Sequence, residues 1–308
     1  MSCMGAGIDV SKATLDVAVH GQTAQLKAAN DAAGWARVTH WLAQYAPEQV
    51  VLEATGGYEL AALNALFEAG LPMVRINARH ARRFAQALGQ LAKTDRIDAR
   101  VLAHMASVLT LHRYHPLDEK ARVLKPFYER RQHILQMLVA EKQRRRQVTE
   151  PMLRQMLEQN IARLQADRQI IDRAMAEQIQ GTPQATVVAT IRGLGPLTVI
   201  ALLCDMPELG HVSGKTMANL GGVAPLARDS GTAHGKRVVW GGRPRPRSVL
   251  YMAMLNVVRY DPLIKAFYEG LVARGKPKKV ALVAALHKTI VLLNARLRDL
   301  LNETAQAA

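Results

Sequence analysis

Four acidic residues have the types and sequence contexts expected of a single metal site. Asp9 lies in Gly-Ile-Asp-Val-Ser-Lys and Glu53 ends the apolar run Val-Val-Leu-Glu, whereas Asp95 and Asp98 lie in Lys-Thr-Asp-Arg-Ile-Asp-Ala-Arg. A carboxylate at the end of a buried strand is costly unless it is paired, and a divalent cation is a common partner. Two acids three residues apart share one face of a helix. The four residues therefore predict a site for Mg²⁺ or Mn²⁺ of the kind that supports phosphate-ester chemistry.

The elements that must position these acids are predicted from the spacing of apolar residues. Strands are expected at residues 6–10, 14–20, 49–53 and 71–76, and helices at residues 31–45, 58–69 and 79–108. The order β-β-α-β-α-β, followed by helices, predicts a mixed α/β sheet with helices on its faces. Taken singly, Asp9 could be a turn residue at a strand end, and Asp98 could pair with Lys93 or Arg100 within its helix.

Changes in composition divide the chain into three predicted parts, residues 1–115, 116–180 and 181–308. The middle part is helical, charged and free of glycine, and its thin apolar stripe favours a projecting helical hairpin or coiled coil over an ordinary pair of linker helices. In the last part, apolar helical residues 185–226 precede a stretch rich in glycine and arginine, residues 229–247. Two helices, 248–258 and 278–300, are expected to close the chain.

The charge balance favours a polyanionic partner. The 308 residues include 41 Lys and Arg against 25 Asp and Glu, a net charge of +16, so nucleic acid is favoured over a membrane surface. Cys3 and Cys204 are the only cysteines and have no spacing typical of a disulfide scaffold or a zinc site. The chain has no run of 18 apolar residues and no signal-peptide pattern, so no membrane span and a cytoplasmic location are expected.

Several clusters of basic residues are candidates for contacts with phosphate groups. Between Lys236 and Lys288 there are 12 Lys or Arg and two acids. The segment Arg243-Pro-Arg-Pro-Arg247 is expected to be extended, because a proline disfavours the helical region for the residue before it. The predicted nucleic-acid-binding residues are Arg79, Arg82, Arg83, Lys93, Lys236, Arg237, Arg243, Arg245, Arg247, Lys276, Lys278 and Lys279. A solvated loop is the alternative for the C-terminal clusters.

The sequences of several motifs resemble those of a known family. Gly7-Ile-Asp-Val-Ser-Lys12, Leu52-Glu-Ala-Thr-Gly-Gly-Tyr58 and the segment from Lys93 to Ala103 are similar to motifs of the DEDD transposases of bacterial insertion sequences. This is the IS110 family, with its IS1111 subgroup and the related Piv invertases. The resemblance extends to about Leu293 and includes Gly193-Leu-Gly-Pro196, Leu220-Gly-Gly-Val-Ala-Pro225 and Gly241-Gly-Arg243. It implies a RuvC-like (ribonuclease H-like) N-terminal domain and a mainly α C-terminal transposase domain.

The resemblance also implies a nucleophile. The serine that this family is proposed to use in a covalent phosphoserine link to DNA maps to Ser230, in Asp229-Ser-Gly-Thr232. From the residues alone, Ser230 would be assigned to a turn. Tyr251 is an alternative nucleophile, although its apolar helix favours a place in the core, and His234 could act as a base. One departure from the family is His287, where relatives commonly have arginine.

The resemblance further implies the partners of the protein, namely donor and target double-stranded DNA and a structured noncoding guide, or bridge, RNA. Synapsis of two DNA sites would need a dimer or a tetramer. Two rival readings remain. A RuvC-like nuclease that uses water would need the four acids but not Ser230, and a non-catalytic nucleic-acid-binding protein would need neither.

Overall fold

The computed structural model describes residues 4–89, 95–226 and 237–307, without the side chains of residues 95–97 and 307. The chain divides into two compact units, with the boundary between Pro116 and Leu117. Helices α5 (Glu119–Gln147) and α6 (Pro151–Gln178), which cover most of the predicted middle part, belong to the second unit.

The first unit contains a five-stranded mixed sheet. Its strands are β1 (Gly5–Val10), β2 (Thr14–Val19), β3 (Gln25–Ala29), β4 (Gln49–Glu53) and β5 (Met73–Ile76). The strand order is β3-β2-β1-β4-β5. β2 runs antiparallel to β1 and β3, while β4 is parallel to both β1 and β5. The predicted mixed α/β sheet is therefore confirmed.

Helices cover both faces of this sheet. They are α1 (Ala32–Ala43), α2 (Glu59–Glu68), α3 (Ala78–Ala87) and α4 (Asp95–Val108). On one face, Ile8 of β1 is buried with Leu42 of α1 and Leu63 of α2. On the other face, Val51 of β4 is buried with Leu102 of α4. Period-two alternation in the central strands sends each alternate side chain into one of these two cores.

Two expectations for the first unit were wrong. β3 was not predicted, because Gln-Leu-Lys-Ala-Ala lies at an edge of the sheet, exposes Lys27 and Ala29, and has little of the β-branched character of a buried strand. The single helical stretch predicted for residues 79–108 contains two helices, α3 and α4.

The second unit is mainly helical. Its helices are α5 (Glu119–Gln147), α6 (Pro151–Gln178), α7 (Pro183–Ala189), α8 (Pro196–Asp205), α9 (Gly214–Leu220), α10 (Pro244–Tyr260), α11 (Pro262–Ala273) and α12 (Lys278–Ala307), with the short strands β6 (Pro225–Leu226) and β7 (Val238–Val239). Helices α5 and α6 pack together through Ile134 and Leu138 of α5 and Ile161 and Leu164 of α6. A coiled coil between chains stays a prediction.

Helix α12 is the most apolar long helix of the described chain. A window of 18 residues within residues 278–306 has a mean hydropathy of 1.5, and by length and composition this helix could cross a membrane. Leu286, Ile290 and Leu293 are nevertheless buried in the core of the second unit. This burial is typical of the central helix of a globular domain.

Candidate metal and nucleic-acid site

Asp9 is the second-last residue of β1 and Glu53 is the last residue of β4, so both lie at the same edge of the sheet. β1 and β4 run parallel, and the last pair in their register joins Ile8 to Leu52. The next residues along the two strands are Asp9 and Glu53, and both are half-buried. Residues of equal register in parallel strands point to the same face. The two carboxylates therefore share the face on which α4 packs.

Two glycines of β1 allow α4 to lie directly on the strand. A Cβ atom added at Gly7 would lie 2.3 Å from the backbone nitrogen of Ala103 and 2.3 Å from the carbonyl oxygen of Ala99. A Cβ atom added at Gly5 would lie 2.5 Å from the backbone nitrogen of Ser107. These distances are far below van der Waals contact, so the strand and the helix touch through their backbones.

The same packing brings the first turn of α4 level with Asp9. Between Gly5 and Gly7 the contact moves from residues 103–107 to residues 99–103 of the helix. Two strand residues span about 6.6 Å and four helical residues about 6 Å, so the two elements stay in step. Two residues further along β1 is Asp9, and four residues further back in α4 is its first turn, which contains Asp98. The fold thus brings the acidic turn of α4 to the ends of β1 and β4.

Metal binding by these carboxylates stays a prediction. Among the side chains that the structure describes, no three of the His, Cys, Asp and Glu residues form a group that could hold a metal ion. The side chain of Asp95, the fourth predicted ligand, lies outside that description. The donor set itself fits Mg²⁺ or Mn²⁺, because these ions take hard carboxylate oxygens as ligands.

Asp16 is an acidic residue of the same region that the sequence analysis missed. It lies directly opposite Asp9 in the antiparallel pair of β1 and β2, and it is 7% exposed. Its carboxylate lies 3.4 Å from Nζ of Lys27 on β3. Directly opposite residues share one face of a sheet, so Asp16 adds a carboxylate beside Asp9. An acid inside the apolar strand Thr-Leu-Asp-Val-Ala-Val was the signal that could have identified it.

The loop that follows Glu53 is anchored by Glu59, which is fully buried. Oε2 of Glu59 accepts hydrogen bonds from the backbone N–H groups of Thr55 at 3.1 Å and Gly57 at 2.8 Å, and Oε1 lies 2.5 Å from Nη2 of Arg75. Burial raises the pKa of Glu59, but the backbone hydrogen bonds and the charge of Arg75 outweigh it and hold this pKa below its ordinary value of 4.5. The loop is therefore tied to an ionised carboxylate.

Helix α3 presents arginines at the same sheet edge. It follows β5 directly, and Ile76 at the end of β5 pairs with Glu53. Ala81 and Ala85 form its buried side, whereas Arg79, Arg82 and Arg83 are exposed. Exposed guanidinium groups suit a phosphate backbone. Lys93, the remaining predicted contact of this unit, lies outside the described residues.

The predicted nucleophile lies outside the described residues. The gap from 227 to 236 includes Ser230, His234 and Lys236. Arg237, the first described residue after the gap, is exposed. Tyr251 packs against the core of the second unit, as the apolar pattern of its helix predicted.

The expectation that residues 243–247 are extended was wrong. α10 begins at Pro244. Arg243 is extended, with φ −86° and ψ 118°, as the residue before a proline should be, but Arg245 is helical although Pro246 follows it. Because the first N–H groups of a helix have no partner within the helix, prolines in this first turn cost no hydrogen bond.

The arginines of this turn make contacts inside the second unit. Arg243 donates two hydrogen bonds to the carboxylate of Glu208, at 2.7 and 2.6 Å. Nε of Arg245 lies 3.5 Å from Oδ2 of Asp205, and Arg247 donates to two backbone carbonyl oxygens. The observed arrangement is therefore a set of internal contacts and not the extended phosphate track that was expected.

Three predicted lysines remain on the surface. Lys276, Lys278 and Lys279 are all exposed, in the connection between α11 and α12 and the first turn of α12. Gly275, with φ +78°, ends α11 and allows the chain to turn there. Contact of these lysines with phosphate groups stays a prediction.

A cavity of about 430 Å³ lies within the second unit. It is lined by Lys215 and Asn219 of α9, Leu226 of β6 and His287 of α12. Leu226 is the last described residue before the segment that contains Ser230. His287, whose role the sequence left open, therefore lines a cavity next to β6.

Half-buried acids at the ends of parallel strands, beside exposed arginines, are features of an enzyme that acts on nucleic-acid phosphates. A family model of the IS110 DEDD type, described as "Transposase", matches residues 6–156. A second, described as "Transposase IS116/IS110/IS902 family", matches residues 185–269. The chain belongs to the IS110 family of DNA transposases and recombinases, and the resemblance in its motifs is confirmed. The first match includes the four predicted acids, and the second includes Ser230.

Two relatives of this chain are named for the inversion of a gene, and a third is named for an insertion element. The pilin gene-inverting proteins of Moraxella lacunata and Moraxella bovis are each 25% identical to it, over 95% of this chain and 95% of their own length. The insertion element IS110 uncharacterized 43.6 kDa protein of Streptomyces coelicolor is 24% identical over 46% of this chain and 36% of its own.

Proposed function

We propose that this protein is the transposase of an insertion sequence and that it cleaves and exchanges DNA strands with Mg²⁺ or Mn²⁺ as cofactor. Asp9, Glu53, Asp95 and Asp98 would hold the ion in a RuvC-like domain. The observation that carries this proposal is the packing of α4 on Gly5 and Gly7, since it sets an acidic helical turn beside two acidic strand ends. Membership of the IS110 family supports the same conclusion.

Ser230 is the proposed nucleophile. Its Oγ forms a bond to phosphorus, one bond from phosphorus to a deoxyribose oxygen breaks, and the departing oxygen takes up a proton. The ion bound by the carboxylates would supply neutralisation of the phosphate charge. A base must take the hydroxyl proton of Ser230, and the covalent link preserves the phosphoester bond energy for strand exchange.

The proposed partners are donor and target double-stranded DNA and a structured guide RNA, bound by a dimer or tetramer of the chain. The net charge of +16 and the exposed arginines of α3 support nucleic-acid partners. The exposed lysines at the start of α12 support them as well. Neutralisation of each phosphate contact should reduce the salt slope of binding by about 1.

The proposal is tested by incubating the protein with DNA from the ends of its element, the transcript of the flanking region and Mg²⁺. Mass spectrometry of the digested protein should find DNA linked to Ser230. Asp9→Asn and chelation of the ion should abolish cleavage, and Ser230→Ala should abolish both cleavage and the adduct. Cleavage that survives in Ser230→Ala would show a nuclease that uses water. If the wild type does not cleave DNA and Asp9→Asn binds DNA with the same affinity as the wild type, the protein is a non-catalytic binder.

A second candidate function is the inversion of a DNA segment between two sites. The similarity to the pilin gene-inverting proteins, which covers 95% of each chain, favours it. Strand cleavage and exchange would be the same in both reactions. A plasmid that carries two element ends in inverted orientation distinguishes them, since inversion keeps both ends on one molecule and transposition moves the segment to a second plasmid.

A further inference from the structure

Tyr58 lies in the loop that follows Glu53, and its side chain is exposed. It is 53% exposed, and among the described aromatic residues of the first unit it is the only one in the exposed class. The turn before it consists of Gly56 and Gly57, with φ values of +78° and +119°. No atom lies within 4 Å of a Cβ added at either glycine. The turn before Tyr58 is thus open, and the ring itself is exposed.

The backbone of Tyr58 is held in place although its ring is exposed. The side-chain amide of Asn30 donates one hydrogen bond to the carbonyl oxygen of Tyr58, at 3.2 Å, and another to that of Ser11, at 3.0 Å. Its oxygen accepts a hydrogen bond from Nε1 of Trp35 at 2.9 Å. Asn30 therefore connects the loop after β1 with the loop after β4. On the other side of Tyr58, the buried Glu59 fixes Thr55 and Gly57 as described above.

This combination lowers the entropic cost of binding at Tyr58. A tyrosine has only two side-chain torsions, and its backbone here is already fixed on both sides, so little freedom is lost when a ligand packs on the ring. The location indicates the class of ligand, because the exposed arginines of α3 and the carboxylates lie at the same sheet edge. Nucleobases present a π-face beside each phosphate and stack on aromatic rings.

We propose that Tyr58 is a binding residue on which one nucleobase of the DNA substrate stacks, next to the phosphate that the carboxylates act on. The inference rests on the proposed function, because it takes DNA as the substrate. Stacking on Tyr58 would fix the position of the nucleotide along the strand independently of base pairing. It also adds a base contact to the phosphate contacts proposed for the arginines of α3.

The proposal is tested with element-end DNA that carries 2-aminopurine at successive positions around the cleavage site, bound in Ca²⁺. The fluorescence should change at one position when the wild-type protein binds. Tyr58→Leu keeps most of the side-chain bulk but lacks the ring, so it should lose this signal and weaken binding about 5- to 100-fold. Tyr58→Phe should restore both, and the salt slope of binding should stay the same in all three proteins.

Matched measurements decide the outcome. Leu60→Ala, which removes exposed apolar surface two positions further along the chain, should change affinity less than about twofold. Equal affinity and an equal signal in Tyr58→Leu would overturn the proposal. So would a lower affinity with an unchanged signal, or a fall in melting temperature that shows the ring to be structural. If the wild type binds the DNA and shows the signal but never cleaves in Mg²⁺, only the proposed function fails. If it binds no DNA, both fail.

Discussion

Gly7→Ala is expected to leave the first unit folded but to displace the acidic residues of α4 from those of β1 and β4. The added Cβ would lie 2.3 Å from backbone atoms of Ala99 and Ala103, whereas an ordinary contact begins at 3.4 Å. Helix α4 must therefore move away from β1 by about 1 Å. Overpacking of this kind costs about 1–3 kcal/mol, which should lower the melting temperature of this unit by roughly 5–15 °C.

The effect on the reaction should be larger than the loss of stability suggests. Asp95 and Asp98 lie in the first turn of the displaced helix, while Asp9 stays on the strand. A misplacement of about 1 Å can cost on the order of 100-fold in rate. Mg²⁺-dependent cleavage should therefore fall by about that factor at a temperature where the variant is fully folded, and the Mg²⁺ concentration for half-maximal rate should rise.

Gly270→Ala is the control for this experiment. Gly270 lies in α11, and no atom lies within 4 Å of an added Cβ. Alanine in an open helical position should stabilise the second unit by about 0.5–1 kcal/mol and leave cleavage unchanged. If Gly7→Ala cleaves DNA at the wild-type rate with the same Mg²⁺ requirement, then the close approach of α4 does not assemble the site, and the argument made from it is wrong.

Three further predictions follow from side chains with defined partners. Because the pKa of Glu59 is lowered, its ionised form stabilises the fold above pH 4.5. This contribution is lost as the pH falls through the lowered pKa. Glu59→Gln should therefore make the unfolding free energy in urea depend less on pH between pH 3 and 7. Arg243→Ala leaves Glu208, which is 8% exposed, without its two hydrogen bonds. It should cost about 1–3 kcal/mol in unfolding free energy without changing the salt slope of DNA binding; a slope lower by about 1 would instead show that Arg243 contacts a phosphate. Burial raises the pKa of Cys204 to about 12, so peptide mapping should find it unmodified by iodoacetamide at pH 8 in the native protein and modified in urea, and rapid native labelling would contradict its burial.

The sequence by itself determined the central strands and the identity of the acidic residues. β1, β2 and β4 could be predicted because each is a short apolar run whose period and flanking residues are typical of a buried strand. Local patterns of this kind depend only on residues within a few positions of one another. The family was also evident from the sequence, because several motifs occur in a fixed order along nearly the whole chain.

Tertiary structure alone decided how the acids are brought together. Nothing in the order of residues says that α4 lies along β1 in step with it, since this depends on the contacts of Gly5 and Gly7 with a helix about 100 positions later. The edge strand β3 is likewise formed by pairing with β2, and its own residues have little preference for a strand. The position of Asp16 opposite Asp9 likewise follows only from the register of β1 and β2.

The segment 243–247 shows where a local rule is overruled. The preference of the residue before a proline is worth little against the packing of a whole helix, and α10 buries Leu250, Met254 and Val257 in the core of the second unit. Helix packing then places Arg243 beside Glu208, which is 35 positions away in the chain. Contacts between residues distant in the sequence decide which basic side chains pair with buried acids and which stay exposed. The spacing of residues along the chain does not predict these contacts.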